Sequence, residues 1–333
     1  MSKRIFSLPA LVFLLSNIIF SPASADKKVD EPLKLLPQEH TLIGKIWDTH
    51  DKSFIAKNKL LENVFTSDYV LLGETHDNIK HHQDHGWIIK EIANKSKQAA
   101  IAFEMLNQDQ ANVVNNVEFE NTDELLEMLE QAGTGWEYKK YYKPVFDSVF
   151  RAKLPMYAAD LGKETLMKIV TKGVEHAPKE VRELLEKTTL SKEAHESLKK
   201  EIEMTHCGMI NDEMTRAMML GQRVRDAAIG NSLFNMRNDP VETAILVAGS
   251  GHVRKDRGAP MYLESQDKNA KITSIAWLEI DKDTTDPQTY SKRWGTNQLP
   301  FDYVIFTAQV DRPDPCEEMK KFMQHKNNHD KKT

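Results

Sequence analysis

The side chains best suited to chemistry in this 333-residue sequence follow four short apolar runs. Gly73-Glu74-Thr75-His76 follows the first run and Gly249-Ser250-Gly251-His252 follows the last, while Glu104 and Asp160 end the two runs between them. Carboxylate and imidazole groups together suit a divalent metal with open water positions, or a polar cofactor. The pattern therefore predicts a binding or catalytic site that contains Glu74, His76, Glu104 and His252.

A structural explanation of the same residues stays open. Polar side chains at strand ends commonly cap the next helix or form a buried hydrogen-bond network. A glycine three residues before a histidine also arises by chance, although here it recurs at two strand ends with Glu104 at a third. If the residues do bind a metal, a metal-bound water would be the nucleophile and a glutamate the general base, as in a hydrolase.

Six apolar runs predict the strands that carry these residues, and helical patterns lie between most of them. Strands that alternate with helices indicate an α/β fold with a mainly parallel sheet flanked by helices. The charged stretch 163–232 is helical in pattern and predicts a helical insertion or subdomain over one end of the sheet. Because ligands collect beyond the carboxyl ends of parallel strands, the site is expected there. The predicted strands are 68–73, 98–104, 154–160, 243–249, 271–280 and 302–309.

Two further groups of residues could contact a ligand. His81, His82 and His85 stand near the start of a predicted helix, but the glutamate of a zinc-protease motif is missing, so a solvated polar helix end is favoured. An aromatic group precedes Pro144 and predicts either an aromatic wedge in a loop or a tyrosinate ligand for ferric haem. Its members are Trp136, Tyr138, Tyr141 and Tyr142.

The first 25 residues have the composition of a secretory signal peptide. Lys3 and Arg4 precede an uncharged stretch, 5–20, and small residues lead to a cleavage site after Ala25. A membrane anchor is the alternative, but the apolar stretch is short for a transmembrane helix. The sequence thus predicts an exported protein with one α/β domain at 26–310 and a mobile polar tail at 311–333.

The overall composition narrows the function classes. Lysine and arginine total 45 against 50 aspartate and glutamate, a formal net charge of −5, which argues against nucleic-acid binding. Two cysteines exclude a disulfide scaffold and a four-thiolate metal site. Export would permit a disulfide between Cys207 and Cys316, but spacing does not give geometry, so the pairing stays open.

Several segments, taken in order, resemble the ChaN-like family of exported haem-binding proteins within the Tiki superfamily. The resemblance covers roughly residues 60–265. The segments are Leu-Leu-Gly-Glu-Thr-His-Asp-Asn (71–78), Phe-Glu-Met-Leu (103–106), Tyr142-Lys-Pro, the His206-Cys-Gly segment, Gln222-Arg-Val-Arg-Asp226, and 251–260 with Tyr262-Leu.

The resemblance implies haem as cofactor and a carrier or transient store that acts in haem iron uptake. It implies ligation of haem through a tyrosine, with Tyr142 as first choice and Tyr262 as second, and a role for His76 and His252 beside the haem. It also implies a homodimer with two haems stacked face to face, a bacterial periplasmic location, and haem receptor or transport components as partners. The signal peptide has no lipid-accepting cysteine, so association with the outer membrane would be peripheral.

The wider superfamily implies an alternative function. Its members include metal-dependent peptidases and esterase-like enzymes that use the positions equivalent to Glu74, His76, Glu104 and His252. Under that alternative the protein is a hydrolase or peptidase whose cofactor is a divalent metal such as Mn, Co or Zn.

Overall fold

The computed structural model describes residues 31–36, 39–95, 98–238 and 240–321. The predicted signal peptide, 1–25, lies outside these residues. Within them, eight strands form one sheet: β1 (Ile46–Asp48), β2 (Ser53–Ile55), β3 (Tyr69–Glu74), β4 (Ala99–Phe103), β5 (Met156–Ala158), β6 (Thr243–Gly249), β7 (Ile272–Glu279) and β8 (Tyr303–Thr307).

The sheet has the order β2-β1-β8-β7-β3-β6-β4-β5. All pairings from β8 to β5 are parallel, and only β1 pairs antiparallel, with β2 and with β8. Six of the eight strands coincide with the six apolar runs, which confirms the predicted α/β fold and its mainly parallel sheet. β1 and β2 were not predicted, because three residues are too few to show an alternating pattern.

Helices cover both faces of the sheet and fill the stretch between β5 and β6. The helices are α1 (Lys57–Val64), α2 (Ile79–Lys95), α3 (Gln108–Asn116), α4 (Thr122–Gln131), α5 (Lys143–Ala152), α6 (Lys163–Lys172), α7 (Lys179–Lys187), α8 (Lys192–Thr205), α9 (Asp212–Met236) and α10 (Ala259–Gln266). A π-helical turn, Tyr138–Tyr142, leads into α5, and 3₁₀ turns occupy Val174–His176 and Pro287–Trp294.

The two faces of the sheet bury separate cores because side chains alternate along each strand. Val70 and Leu72 on β3 face the core that contains residues of α2, α4 and α5. Tyr69 and Leu71 face the opposite core, which contains residues of α9 and α10. The parallel strands are buried on both sides, as their continuous apolar sequence indicates.

Local sequence signals explain where the helices near the candidate site begin. Asn107 accepts a hydrogen bond from the backbone N–H of Gln110, whose side chain accepts one from the Asn107 N–H in return, and this capping box starts α3. Asn211 caps α9 by accepting from the N–H of Met214. Further along α9, Ile229 and Leu233 pack in the core on one face of the sheet.

The described part of the predicted polar tail is held against the domain. Arg312 forms ion pairs with Asp77 and Glu279, and Cys316 forms a disulfide with Cys207. Residues 315–321 are helical, and the side chain of Met319 is buried. Two ion pairs and one disulfide therefore hold residues 311–321 against the domain, in the stretch where the sequence predicts a mobile tail.

Among the described residues, no helix is both long enough and apolar enough to span a lipid bilayer.

Candidate functional site

The carboxyl ends of β3, β4 and β6 bring the predicted polar residues to one edge of the sheet. Glu74 at the end of β3 is in register with Gly249 at the end of β6. Glu104 directly follows β4, and its Oε2 accepts a hydrogen bond from the Gly249 N–H at 2.7 Å. His76 and His252 follow β3 and β6 by a few residues. The edge therefore gathers two carboxylates and two imidazoles, as their positions in the sequence predict.

Glu74 is buried and lies at the centre of a hydrogen-bond network. Its Oε1 accepts from the Tyr142 hydroxyl at 2.8 Å and lies 2.7 Å from His76 Nδ1, while its Oε2 pairs with His82 Nε2. Burial opposes ionisation of the carboxyl, but attraction to His82 and hydrogen bonds from both histidines outweigh it. The pKa of Glu74 is therefore held well below its usual value, and the group is a carboxylate at neutral pH.

His76 is the part of this network nearest to solvent. Its side chain is 23% exposed, whereas that of Glu74 is fully buried. Burial lowers the pKa of His76, but attraction to Glu104 and the hydrogen bond to Glu74 raise it above the ordinary histidine value. The ring of Trp136 stands edge-on to the imidazole at 5.0 Å between centroids. Among the described residues, none forms a hydrogen bond with the second ring nitrogen, Nε2.

Glu104 is held by a guanidinium from α9. Arg225 donates from Nη2 to Glu104 Oε1 at 2.5 Å and from Nε to Asp160, so one side chain bridges the ends of β4 and β5. Burial opposes ionisation of Glu104, but attraction to His252 and Arg225 lowers its pKa well below the usual value. Asp160, the further acid expected at this edge, thus positions Arg225.

His252 is buried and paired with a carboxylate that the sequence interpretation did not single out. Its Nδ1 lies 2.6 Å from Asp226 Oδ1 and 3.1 Å from Gln222 Nε2, and its Nε2 lies 3.4 Å from Glu104 Oε1. Burial lowers the pKa of the imidazole, but attraction to Glu104 and Asp226 overcomes this and raises it to about 9. His252 is therefore a buried imidazolium at neutral pH.

The two tyrosines expected to ligate haem are both buried. Tyr142 lies at the end of the π-helical turn with no exposed surface, and burial together with the nearby Glu74 raises its pKa well above 10. Tyr262 on α10 packs in a cluster with side chains of α6, α7 and α9, such as Leu166 and Val181, and burial raises its pKa to about 12. Neither phenol faces solvent, and ligation by either one stays a prediction.

The expectation of a solvated helix end at His81, His82 and His85 is wrong. All three imidazoles are completely buried, because this side of α2 lies against the sheet, where His82 pairs with Glu74 of β3 and His85 stands edge-on to Trp277 of β7. His81 Nδ1 accepts from the Thr75 N–H, and its Nε2 contacts Thr307 Oγ1 at 2.8 Å. Burial lowers the pKa of His85 to about 3 and that of His81 well below its ordinary value, so both rings are neutral.

This arrangement does not support the divalent-metal site that the sequence suggested as an alternative. In the described ranges, no group of three or more histidine, cysteine, aspartate or glutamate side chains is placed to hold a metal ion. The carboxylate of Glu104 is directed at Arg225, and the carboxylate of Glu74 at His76, His82 and Tyr142. The two glutamates expected to be metal ligands thus pair with basic or hydroxyl groups, and the two histidines, His76 and His252, pair with carboxylates.

The sequence interpretation missed three partners, Arg225, Asp226 and Arg312, and misjudged the burial of a fourth, His82. Arg225 and Asp226 stand in a segment that carries the family resemblance, which is the only signal that could have identified them. Arg312 lies beyond that resemblance, and the burial of His82 could not be inferred without knowing which side of α2 faces the sheet.

The fold and the residues described above together define an α/β protein with a cluster of charged, mostly buried side chains at the carboxyl edge of its sheet. A sequence model of the family described as "Haem-binding uptake, Tiki superfamily, ChaN" matches residues 60–263. The chain belongs to this family. No curated protein matches the chain.

Several solved structures are similar to this chain, and one that has the same fold is described as cofacial haem binding to ChaN of Campylobacter jejuni. It is 20% identical in sequence, has a TM-score of 0.60, and the match covers 80% of this chain and 98% of the other. The erythromycin esterase EreC is 13% identical, with a TM-score of 0.44 and coverage of 77% and 94%. The type III effector HopBA1 is 11% identical, with a TM-score of 0.42 and coverage of 75% and 92%.

Proposed function

We propose that the protein binds haem at the carboxyl edge of its sheet and carries or transiently stores it during haem iron uptake. The observation that supports this most strongly is the family match over residues 60–263, a range that contains Glu74, His76, Glu104 and His252. Haem would supply the iron, and the chain would supply the side chain that binds the iron and the charged residues around it.

His76 is the side chain that best fits the haem iron. A histidine that binds a metal usually donates its other ring N–H to a carboxylate, and Nδ1 of His76 lies 2.7 Å from Glu74 Oε1. This bond fixes the tautomer and leaves Nε2 as the atom that would coordinate the iron, in a side chain that is 23% exposed. Imidazole is also the proximal ligand in several classes of haem protein.

Tyr142 would hold His76 in place without binding the iron itself. Its hydroxyl donates to Glu74 and lies 3.2 Å from His76 Nδ1, so it helps to orient the carboxylate that holds the imidazole. Ligation by Tyr142 itself would require the phenol to leave Glu74 and lose its proton despite a raised pKa. We therefore expect Tyr142→Phe to bind hemin with an unchanged imidazole-type spectrum. A spectrum lost in this variant would instead identify Tyr142 as the ligand.

Glycine substitutions test the location without altering a polar group. A Cβ added at Gly249 would stand 3.0 Å from His76 Nε2, whereas one at Gly251 would meet nothing closer than 3.7 Å. Gly249→Ala should therefore displace the imidazole and weaken hemin binding, measured by the Soret absorbance, while Gly251→Ala should bind as the wild type does. Equal affinity of both variants would place haem elsewhere on the molecule.

The proposed function also implies where the protein acts and how two chains assemble. The signal peptide predicted at 1–25 would export the chain to a bacterial periplasm, where it would deliver haem to receptor or transport components. Two chains would pair through stacked haems, an arrangement suggested by the cofacial haem binding described for the Campylobacter jejuni ChaN. Mass measurement during a hemin titration tests this pairing, since haem-free protein should be monomeric and saturated protein dimeric.

A further inference from the structure

The chain that follows β8 crosses the carboxyl edge of the sheet. Backbone hydrogen bonds join Gln309 to Leu36 and Asp311 to Lys34 as the chain leaves β8. Arg312 then binds the carboxylate of Asp77, the residue after His76, and the carboxylate of Glu279 at the end of β7. In the sheet order, β8, β7 and β3 are consecutive, so this segment passes from the end of β8 towards the end of β3.

The same segment is then bound covalently on the far side of the site. Cys316 forms a disulfide with Cys207, which lies 109 residues earlier in the loop between α8 and α9. Both helices reach the residues that follow β6: a Cβ on Gly251 would stand 3.7 Å from Glu201 of α8, and Gln222 of α9 contacts His252. Residues 308–319, which we call the C-terminal strap, therefore join the loop after β3 to the helices beside β6.

The two attachments of the strap differ in kind. Arg312 makes bidentate bonds to Asp77 and Glu279, at 2.7 to 2.9 Å, and Asn78 donates to the same Glu279, so the loop that carries His76 is clamped to the strap. These bonds need no redox change to break or re-form. The disulfide, by contrast, opens only by reduction, and both of its cysteines are partly exposed to solvent.

We propose that the C-terminal strap is a redox-controlled cover over the His76 site, with Arg312 as its hinge and the Cys207–Cys316 disulfide as its latch. An external dithiol opens the latch by exchange: the dithiol loses two electrons and two protons and becomes a disulfide. The sulfur–sulfur bond between Cys207 and Cys316 breaks and takes them up as two thiols. The strap then swings about Arg312 and exposes His76.

Chemical modification of histidine by diethyl pyrocarbonate, quantified by peptide mass spectrometry, tests this cover in the full mature chain. His76 is the probe, His50 is the exposed reference and His85 the buried reference. In Cys207→Ser/Cys316→Ser, His76 should react about tenfold faster than in the oxidised wild type, as expected for a local opening. Both references should react at unchanged rates. The native protein, reduced with dithiothreitol and then alkylated, should behave like the double variant.

Two results would overturn the proposal. If His76 reacts equally fast with and without the disulfide, the strap does not cover it. If His85 becomes reactive together with His76, loss of the disulfide loosens the whole domain and opens no specific cover.

A second experiment, with hemin, tests the strap proposal and the proposed haem function independently of each other. Stopped-flow mixing should show faster hemin association with the double variant than with the oxidised wild type. Failure of both forms to bind hemin would contradict the proposed function, whereas the histidine-modification result would still decide whether the strap is a cover.

Discussion

At the residue scale, the site depends on charges that are buried in pairs. His252 keeps its proton at neutral pH because Glu104 and Asp226 lie beside it, although burial alone would remove it. Burial raises the pKa of Asp226, and attraction to His252 offsets only part of this effect, so the pKa stays above its usual value. Removing one partner of a buried ion pair leaves the other charge uncompensated, which destabilises the folded protein. His252 and Asp226 therefore each stabilise the charged form of the other.

This pairing predicts a specific dependence of stability on pH. The folded-state pKa of His252 is about 9, above the ordinary value of 6.5, so its contribution is fully present below about pH 6.5. That contribution is lost as the pH rises towards 9. Asp226→Asn should lower the free energy of unfolding at pH 7 by about 3 kcal/mol and flatten its fall between pH 7 and 9. Urea denaturation at several pH values measures both effects.

Asp212→Asn, an exposed substitution on the same helix, is the matched control and should leave the pH profile unchanged. A profile for Asp226→Asn that parallels the wild type would show that the pair does not hold the proton on His252.

How much of the site the sequence predicts depends on where each residue lies. Glu74, Glu104 and His252 follow strands, and the ends of neighbouring parallel strands must meet, so their convergence could be predicted. Arg225 and His82 lie within helices, where the apolar pattern predicts which face is buried but not which polar group on that face meets a partner. The partners of Arg225 and His82 can be identified only in the three-dimensional structure.

At the element scale, α2 and α5 approach each other so closely that one position must be glycine. A Cβ on Gly86 would stand 2.5 Å from the carbonyl oxygen of Pro144 and 3.1 Å from Ser148 Oγ. Because the nearest atom belongs to the backbone at the start of α5, it cannot simply rotate away. This contact fixes α5, and with it the adjoining π-helical turn that carries Tyr142, against α2.

Gly86→Ala should therefore destabilise the protein. Overpacking costs about 1–3 kcal/mol and more where backbone must move, which exceeds the gain of about 1 kcal/mol from better helix propensity. Lys90→Ala, an exposed change on α2, should alter stability by less than about 0.5 kcal/mol. Thermal unfolding followed by circular dichroism compares the two. Equal melting temperatures for both variants would mean that the helices can separate without cost.

The strands, like the site residues, could be predicted from the sequence only in part. β3, β4 and β6 are continuous apolar runs that stand out from their polar surroundings, and their order along the chain indicates parallel pairing. β1 and β2 have only three residues each, and β2 is largely exposed, so neither shows a strand pattern in the sequence. The prediction therefore recovered the centre of the sheet and missed its antiparallel edge.

At the scale of the whole molecule, the disulfide joins two parts of the chain that are distant in sequence. It joins Cys207 to Cys316 across a sequence separation of 109, and the loop that it closes contains β6, β7 and β8. A bond across so long a loop restricts the unfolded chain strongly. The sequence left this pairing open, because nothing in the polar composition around Cys316 shows that the segment returns to the loop after α8.

Cys207→Ser/Cys316→Ser should lower the free energy of unfolding by about 2–4 kcal/mol while the domain stays folded at 25 °C. Guanidinium denaturation of the oxidised wild type and the double variant measures the difference, and reduced wild type serves as the control. Identical midpoints for all three proteins would show that the bond adds nothing to global stability.

The central claim is that haem binds beside His76 at the carboxyl edge of the sheet. The most direct measurement is a hemin titration of residues 26–333, followed by Soret absorbance and molecular mass, for the wild type, His76→Ala and the exposed control His50→Ala. The wild type and His50→Ala should saturate near one haem per chain and double in mass, whereas His76→Ala should lose the coordinated spectrum. An identical spectrum and affinity in all three proteins would contradict the account.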